Sequence, residues 1–137
     1  MPFIGTEPAV ILDIMHDDAI KESSVALTAG SSTPDTINVN LSLGNVFHVT
    51  ATQNTTRFNF QNIPSGKAIG FTMRITRNNS NSAFTIDFTN NSAFTIKFAD
   101  GSNPTIMADG ETDIYTFYKD EASDTIFYGA LAVNAVA

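Results

Sequence analysis

The sequence predicts an all-β fold: an antiparallel β-sandwich of jelly-roll-like type with an extended N-terminal arm. Apolar residues alternate with polar ones at a period of two, which is the pattern of strands with one buried face. Asn, Ser and Thr recur throughout, and these residues favour turns and exposed strand positions over helix interiors. The alternating runs follow one another at roughly 8 to 12 residues, the spacing typical of a sandwich or barrel.

The alternating runs predict the strands one by one. Residues 37–43 set Ile, Val, Leu and Leu against Asn, Asn and Ser, and residues 69–76 set Ile, Phe, Met and Ile against Thr, Arg and Thr. Each run indicates a half-solvated antiparallel strand. Residues 62–67 place Pro and Gly at turn positions and predict a turn. Further strands are predicted at 45–51, 55–60, 113–119 and 125–133.

One phrase occurs twice in the sequence, which is typical of a scaffold rather than of a catalytic site. Residues 81–88 read NSAFTIDF and residues 91–98 read NSAFTIKF, so the two copies differ only at Asp87 and Lys97. In each copy two Phe and one Ile point to one side, and we therefore predict two strands of one sheet joined by a loop. Asp87 and Lys97 would lie on the outer faces, where they pair across strands or prevent edge-to-edge association.

The chain divides into an arm and a domain. Residues 1–34 are predicted to be an N-terminal arm and attachment segment, and residues 35–137 the β-sandwich domain. Two prolines near the start bracket an apolar hook that is too short to form a core of its own. The best helical segment, 16–22, is only one or two turns long. The predicted assembly contacts of the arm are Pro2, Phe3, Ile4 and Pro8.

The last residues of the chain are small and apolar. The segment 129–137 reads GALAVNAVA. A terminus of this composition exposes alanine and valine to water unless a neighbour covers it. Leu131, Val133 and Val136 are therefore predicted to be assembly contacts as well.

Length, charge and composition narrow the classes of protein. A chain of 137 residues fits one domain, which buries roughly two thirds of its unfolded surface. The formal charge of −7 argues against a nucleic-acid partner, because phosphate contacts need clustered Lys and Arg. Residues 1–15 carry two acidic residues around a short apolar run, so neither a signal peptide nor a membrane span is predicted. The absence of Cys excludes disulfides and thiolate zinc sites.

Residue chemistry predicts no enzyme and no cofactor. His16 and His48 could in principle join a Ser-His-Asp arrangement, but their spacing does not support one. The sequence has no Gly-x-Ser-x-Gly elbow, no Gly-rich phosphate loop and no pair of histidines at metal-ligand spacing. His48 is interpreted as a residue on the face of a strand.

Acidic groups are the remaining candidates for chemistry. The segments 100–103, 109–113 and 120–124 carry carboxylates that could bind calcium, but none has EF-hand spacing, and ordinary turns explain all three. Glycoside hydrolysis needs a carboxyl group in an apolar pocket. Asp87 and Asp113 are instead expected on strands with solvated polar faces. The prediction is therefore that no metal is bound.

The aromatic residues have two interpretations. The chain has eleven Phe and three Tyr and lacks Trp. Core packing is the simpler interpretation, because Phe alternates with Ile and Met at strand spacing. The alternative is a platform for sugars, which stack on aromatic rings. The candidates for glycan contact are Tyr115, Tyr118 and Tyr128.

A series of short motifs runs in a characteristic order from Leu43 onward. They are Gly44–Phe47, Asn54–Thr56, Pro64–Gly66, Phe71–Met73, Phe84–Phe88 with Phe94–Phe98, Gly101–Pro104, Asp113–Phe117 and Phe127–Gly129. Their order resembles a β-sandwich domain of tailed-bacteriophage virion surface proteins of the tail-fibre and decoration type. The opening Met1–Gly5 is similar to the openings of phage fibre-type proteins.

The resemblance implies a function and a set of partners. It implies a non-enzymatic virion structural protein on the particle surface, made in the host cytoplasm, with capsid or tail proteins and its own copies as partners. A head-decoration (capsid cement) protein that forms a trimer is the preferred interpretation, because a fibre usually adds shaft and receptor-binding regions to such a domain. The alternatives are a short tail fibre or fibre adaptor and, from another class, a carbohydrate-binding module. Neither nucleic acid nor membrane is expected as a partner.

Overall fold

The computed structural model describes residues 24–28, 35–88 and 93–136. These residues form nine strands and a short 3-10 turn, Ala99–Gly101, without any α-helix. The strands are β1 (Ser24–Thr28), β2 (Asp35–Asn40), β3 (Val46–Ala51), β4 (Thr55–Gln61), β5 (Ile69–Arg77), β6 (Thr85–Asp87), β7 (Thr95–Phe98), β8 (Thr112–Lys119) and β9 (Ile126–Val136). The all-β prediction is confirmed. The predicted helix at 16–22 lies outside the described residues.

The strands form two sheets that pack together as a sandwich. The large sheet has the order β1-β3-β5-β8-β9-β7, and the small sheet has the order β2-β4-β6. Alternate residues of β3, β4 and β5 are buried between the sheets, as the period of two requires: Phe71, Met73 and Ile75 of β5 are at most 5% exposed. The β-sandwich prediction is therefore confirmed, and the core lies where the alternation places it.

The strand directions differ from the prediction. β1, β3 and β5 run parallel to one another, as do β2, β4 and β6, and β7 runs parallel to β9. Only β5, β8 and β9 form an antiparallel group. From β1 to β6 consecutive strands alternate between the two sheets, so parallel neighbours in one sheet are connected through a strand of the other sheet. The prediction of a purely antiparallel sandwich is wrong, and β1 to β6 do not have the antiparallel Greek keys of a jelly roll.

An aromatic cluster fills the space between the sheets. Phe60 of β4 is 3% exposed and lies at its centre. Its ring stacks on Phe94, with centroids 4.5 Å apart, and meets the edges of three rings of the large sheet at 4.9 to 5.5 Å, namely Phe71, Phe117 and Phe127. Aromatic pairs of this geometry stabilise a core by about 0.5–1.5 kcal/mol beyond the area they bury. The interpretation of the phenylalanines as core residues is confirmed for those in the described part of the chain, of which Phe98 is partly buried.

The two copies of the repeated phrase lie in different sheets. β6 is the edge of the small sheet beside β4, whereas β7 is the edge of the large sheet beside β9. The prediction that they share a sheet is therefore wrong. Asp87 does not pair with Lys97: its carboxylate lies 3.6 Å from the guanidinium of Arg57 on the neighbouring strand. The cause is that the local alternation gives each copy a buried face but does not specify which strand it joins.

The predicted turn at 62–67 is confirmed. Asn62 and Gly66 adopt left-handed backbone angles, with φ of 54° and 63°. Glycine takes such angles without steric cost, and Asn tolerates them better than most residues. The turn therefore brings β4 out of the small sheet and the chain back into β5 of the large one.

The predictions for the two ends of the chain have different outcomes. Residues 24–28, which the sequence assigned to the arm, form β1 at one edge of the large sheet. Residues 1–23, with the predicted contacts Pro2, Phe3, Ile4 and Pro8, lie outside the described residues, so the arm stays a prediction. At the other end, β9 pairs with β8 as far as Val136.

Candidate functional site

A row of four residues crosses the outer face of the large sheet. Gly70 of β5 lies opposite Tyr118 of β8, Tyr118 opposite Tyr128 of β9, and Tyr128 opposite Lys97 of β7. Each of the four residues has a buried neighbour along its strand, namely Phe71, Phe117, Phe127 and Ile96. Since side chains alternate between the two faces of a strand, the four residues point outward. We call these four residues the tyrosine row.

The two tyrosines of this row are half exposed and lie side by side. The exposed fraction is 49% for Tyr118 and 46% for Tyr128. Directly opposite residues on antiparallel strands have their Cβ atoms about 4.5–5.5 Å apart, so the two rings share one patch of surface. Within the described part of the chain neither hydroxyl has a hydrogen-bond partner. Both predicted candidates are thus placed where a ligand can reach them.

Tyr115, the third candidate for glycan contact, is buried. It is 1% exposed, and its hydroxyl donates a 2.9 Å hydrogen bond to Oδ2 of Asp113. Burial first, and the neighbouring Asp113 carboxylate second, raises the pKa of Tyr115 well above its ordinary value. Since Tyr115 lies two residues from buried Phe117, the period of two turns it into the core, and its prediction as a glycan contact is wrong.

Asp113 is likewise not on a solvated face. Its exposed fraction is 0%, in contrast to the sequence-based expectation. The pairing of β8 with β9 shifts register on both sides of Ile114. Such an irregularity breaks the simple alternation and lets neighbouring residues turn inward. The buried carboxylate is therefore part of the core contact with Tyr115, rather than of an open acidic site.

The hairpin that carries the tyrosines is fixed to the turn at 62–67. Lys119 has a fully buried side chain, and its ammonium lies 2.9 Å from Oδ1 of Asp124. The Ser65 hydroxyl donates a short hydrogen bond to the same carboxylate, and the Gly66 amide donates another at 2.9 Å. The Ser65 hydroxyl, then the Gly66 amide and then Lys119 lower the pKa of Asp124 from 3.8 to about 2. We call Lys119, Asp124, Ser65 and Gly66 the hairpin anchor.

A close contact also fixes β9 beside Tyr128. Phe98 at the end of β7 lies opposite Gly129, and its ring covers that glycine so closely that an added Cβ would lie 2.6 Å from a ring carbon. Only a residue without a side chain fits under the ring. The aromatic ring thus packs where the glycine leaves room.

A shallow cleft adjoins the tyrosine row. Its volume is about 520 Å³, and it is lined by residues 41–45, Pro64 and residues 69–71, none of which is ionisable. Gly70 belongs both to this lining and to the tyrosine row, so the two are continuous. At the entrance Leu43 is 55% exposed. A cleft without acid, base or nucleophile suits binding through hydroxyls, amides and apolar contact.

The far end of the same sheet face is aliphatic. Val133 and Val136 are 39% and 48% exposed, and they lie opposite Ile114 and Thr112 on β8. We call Ile114, Val133 and Val136 the aliphatic patch. One pair of outward-facing residues, Thr116 of β8 and Ala130 of β9, lies between this patch and the tyrosines. Leu131, the remaining predicted contact of β9, packs partly against the core instead.

The other sequence candidates do not come together as a site. His48 lies on the outer face of β3 beside Arg74, and His16 lies outside the described residues. Arg77 donates its hydrogen bonds to the backbone oxygens of residues 79, 81 and 107, so it serves the adjacent loops. Among the described residues no three His, Asp or Glu side chains converge on a potential metal site. That part of the chain also has no helix with the length and apolar character of a membrane span.

Comparison with known proteins gives no relative. The chain matches no protein-family model, no curated protein and no solved structure at a significant level. The resemblance to phage virion surface proteins therefore stays a prediction.

Proposed function

We propose that this protein is a structural component of a bacteriophage virion, a head-decoration protein that stabilises the particle by contacts with the shell and with its own copies. The observation that carries the proposal is the aliphatic patch on the last strand. Val133 and Val136 expose apolar surface on β9, which pairs with β8 as far as Val136. Exposed apolar patches on a stable sandwich are typical of contact surfaces.

The size of the aliphatic patch supports a role for the arm. A stable interface buries roughly 800 Å² on each partner. Two partly exposed valines and one isoleucine supply far less than this. The remaining area has to come from another segment, and the apolar hook around Phe3 and Ile4 has the composition for it. The proposal therefore assigns attachment to the arm and the aliphatic patch together.

The sandwich suits a protein that resists force and heat on a particle surface. Its core is a connected cluster of rings, and its hairpin anchor ties β8 and β9 to the turn at 62–67. Binding to the folded state alone adds to the stability of the bound protein and of the assembly by mass action. A rigid domain with apolar attachment points is sufficient for this role, and no chemical step is required.

The test uses particles that were assembled without the chain. Deletion of residues 1–23 leaves β1 in place, so the domain should fold with an unchanged circular dichroism spectrum and should no longer bind the particles. The double variant V133S/V136S should bind more weakly, whereas L43S removes an exposed apolar residue elsewhere and should bind normally. Full binding by the deletion variant would refute the role of the arm, and equal binding by all variants would refute the proposal.

A further inference from the structure

We propose that the tyrosine row and the adjoining cleft form a binding site for a neutral oligosaccharide. The site shares no residue with the aliphatic patch, from which the Thr116–Ala130 pair separates it, and it goes beyond the proposed attachment to a particle. Tyr118 and Tyr128 form the platform, Lys97 borders it on one side, and Gly70 opens it to the cleft on the other.

The chemistry of the platform matches a sugar ring. A pyranose presents C–H groups on one face, which pack on the electron-rich face of an aromatic ring, and hydroxyls around its rim. Tyr118 and Tyr128 supply two half-exposed rings side by side, with hydroxyls that no other described residue engages. The exposed Lys97 ammonium can donate hydrogen bonds to sugar hydroxyls next to Tyr128. An apolar face with polar groups at its border is the combination that a saccharide requires.

The platform is held rigid before any ligand arrives. Phe117 and Phe127, the sequence neighbours of the two tyrosines, are at most 2% exposed and belong to the aromatic core. The hairpin anchor fixes one end of the strand pair, and the Phe98 ring covers Gly129 directly after Tyr128. Little backbone motion is therefore left to lose on binding, and a preorganised site binds more tightly for the same contacts.

The geometry gives a direction for a chain of sugars. Beyond Tyr118 the row continues to Gly70, where no side chain rises above the sheet. The atom nearest to an added Cβ at this position is the backbone oxygen of Phe117, at 3.7 Å. The cleft continues from Gly70 past Ser42 and Asn45. One sugar on the tyrosines can thus be followed by further units over Gly70 and into the cleft.

A neutral ligand fits better than a polyanion or a protein. The net charge of −7 repels a polyanion, and Lys97 is a single cation in the row. An apolar protein partner would bind better to the aliphatic patch, which Thr116 and Ala130 separate from the tyrosines. Binding should accordingly change little with ionic strength.

The experiment exploits the small number of tyrosines. The chain has three tyrosines and no Trp, and Tyr115 is buried, so ring signals from tyrosine-labelled protein report on the row. Soluble neutral oligosaccharides of glucose, galactose, mannose and N-acetylglucosamine are screened on an array and then titrated by NMR. At least one of them should shift the Tyr118 and Tyr128 signals and leave the Tyr115 signals unmoved. Polygalacturonate serves as the acidic comparison.

The variants test separately the stacking of a sugar on the tyrosines, the path of the oligosaccharide over Gly70 and the integrity of the fold. Tyr118→Ala or Tyr128→Ala should each weaken binding about tenfold, whereas Tyr→Phe at either position should keep most of the affinity. A Cβ at position 70 meets no atom closer than 3.7 Å, and Gly70→Val should reduce oligosaccharide affinity to that of a monosaccharide. V133S/V136S should bind sugar normally.

Four outcomes would overturn the inference. They are no binding by any neutral saccharide, binding by polygalacturonate alone, affinity that is unchanged in the alanine variants, and alanine variants that alter the oligomeric state while no saccharide binds, since the row would then be a contact between copies. None of these outcomes bears on attachment to particles, so the two proposals fail separately.

Discussion

Replacing Gly129 with alanine should destabilise the sandwich, whereas the same replacement at Gly70 should not. Both glycines lie within strands of the large sheet, and neither has a left-handed backbone. They differ in what lies above them. A Cβ at position 129 would lie 2.6 Å from a carbon of the Phe98 ring, whereas a Cβ at position 70 would meet its nearest atom at 3.7 Å.

The expected magnitudes follow from these distances. A contact of 2.6 Å forces the Phe98 ring to move, and that ring also packs against Phe88 at 5.3 Å and Phe117 at 6.3 Å. Overpacking of this kind costs about 1–3 kcal/mol. At Gly70 there is no clash, and alanine restricts the unfolded chain, which stabilises by up to about 1 kcal/mol. The two variants should therefore differ in melting temperature by roughly 5–15 °C, since each kcal/mol moves a domain of this size by about 4 °C.

The assay is thermal and urea unfolding of the two variants and of a double variant. In a Phe98→Ala background the ring is absent, so Gly129→Ala should lose most of its penalty, and the cycle should show a coupling of about 1–2 kcal/mol. Equal stabilities of Gly70→Ala and Gly129→Ala, or a penalty at Gly129 that persists without the Phe98 ring, would refute the packing described for β7 and β9.

Three further predictions concern Phe60 in the core, Asp124 in the hairpin anchor and the buried Tyr115. Phe60→Ala should lower the free energy of unfolding by about 3–5 kcal/mol in urea titrations, because its ring packs from the small sheet onto rings of the large sheet. A loss no larger than that of Phe98→Ala, at a partly buried ring, would contradict the central place of Phe60. Because the pKa of Asp124 falls from 3.8 to about 2 on folding, its contribution to stability should be present above pH 4 and be lost between about pH 4 and pH 2. Asp124→Asn should lower the melting temperature at pH 7 and flatten this pH dependence, whereas an unchanged acid profile would exclude the hairpin anchor. Since burial raises the pKa of Tyr115, stability should fall as the pH rises above 10, and the Tyr115 share of the tyrosinate absorbance should appear only as the circular dichroism of the fold is lost.

Local alternation was sufficient to predict the fold class and much of the core. The period of two in residues 69–75 predicts that Phe71, Met73 and Ile75 are buried, and they are. The Pro and Gly of residues 62–67 likewise predict the turn that is found there. These features depend on neighbours a few residues away, and the sequence carries that information directly.

The partners and directions of the strands could not be predicted in the same way. The two copies of the repeated phrase have the same local pattern, yet β6 joins β4 and β7 joins β9. What separates them is the packing of Phe88 on Phe58 and of Phe94 on Phe60, which are contacts distant in sequence. Alternation specifies a buried face, and non-local packing decides the sheet.

The candidate site was predicted in part. Tyr118 and Tyr128 were proposed as contacts and are exposed, whereas Tyr115 is in the core. The parity of the strand already separates Tyr115, which lies in phase with Phe117, from Tyr118. The opening at Gly70 and the hairpin anchor had no sequence signal, because each depends on segments that meet only in the folded sheet.

The most direct test of the proposed function is a copy-number measurement on purified virions of a phage that encodes this chain. Quantitative mass spectrometry compares the amount of the chain with that of the major shell protein. A head-decoration protein should be present in an amount comparable to the shell protein, and the chain should be missing from the particles of a phage that encodes only the 1–23 deletion variant. Absence from the particle would contradict the proposed function, and a few copies in each particle would assign the chain to the tail rather than to the head.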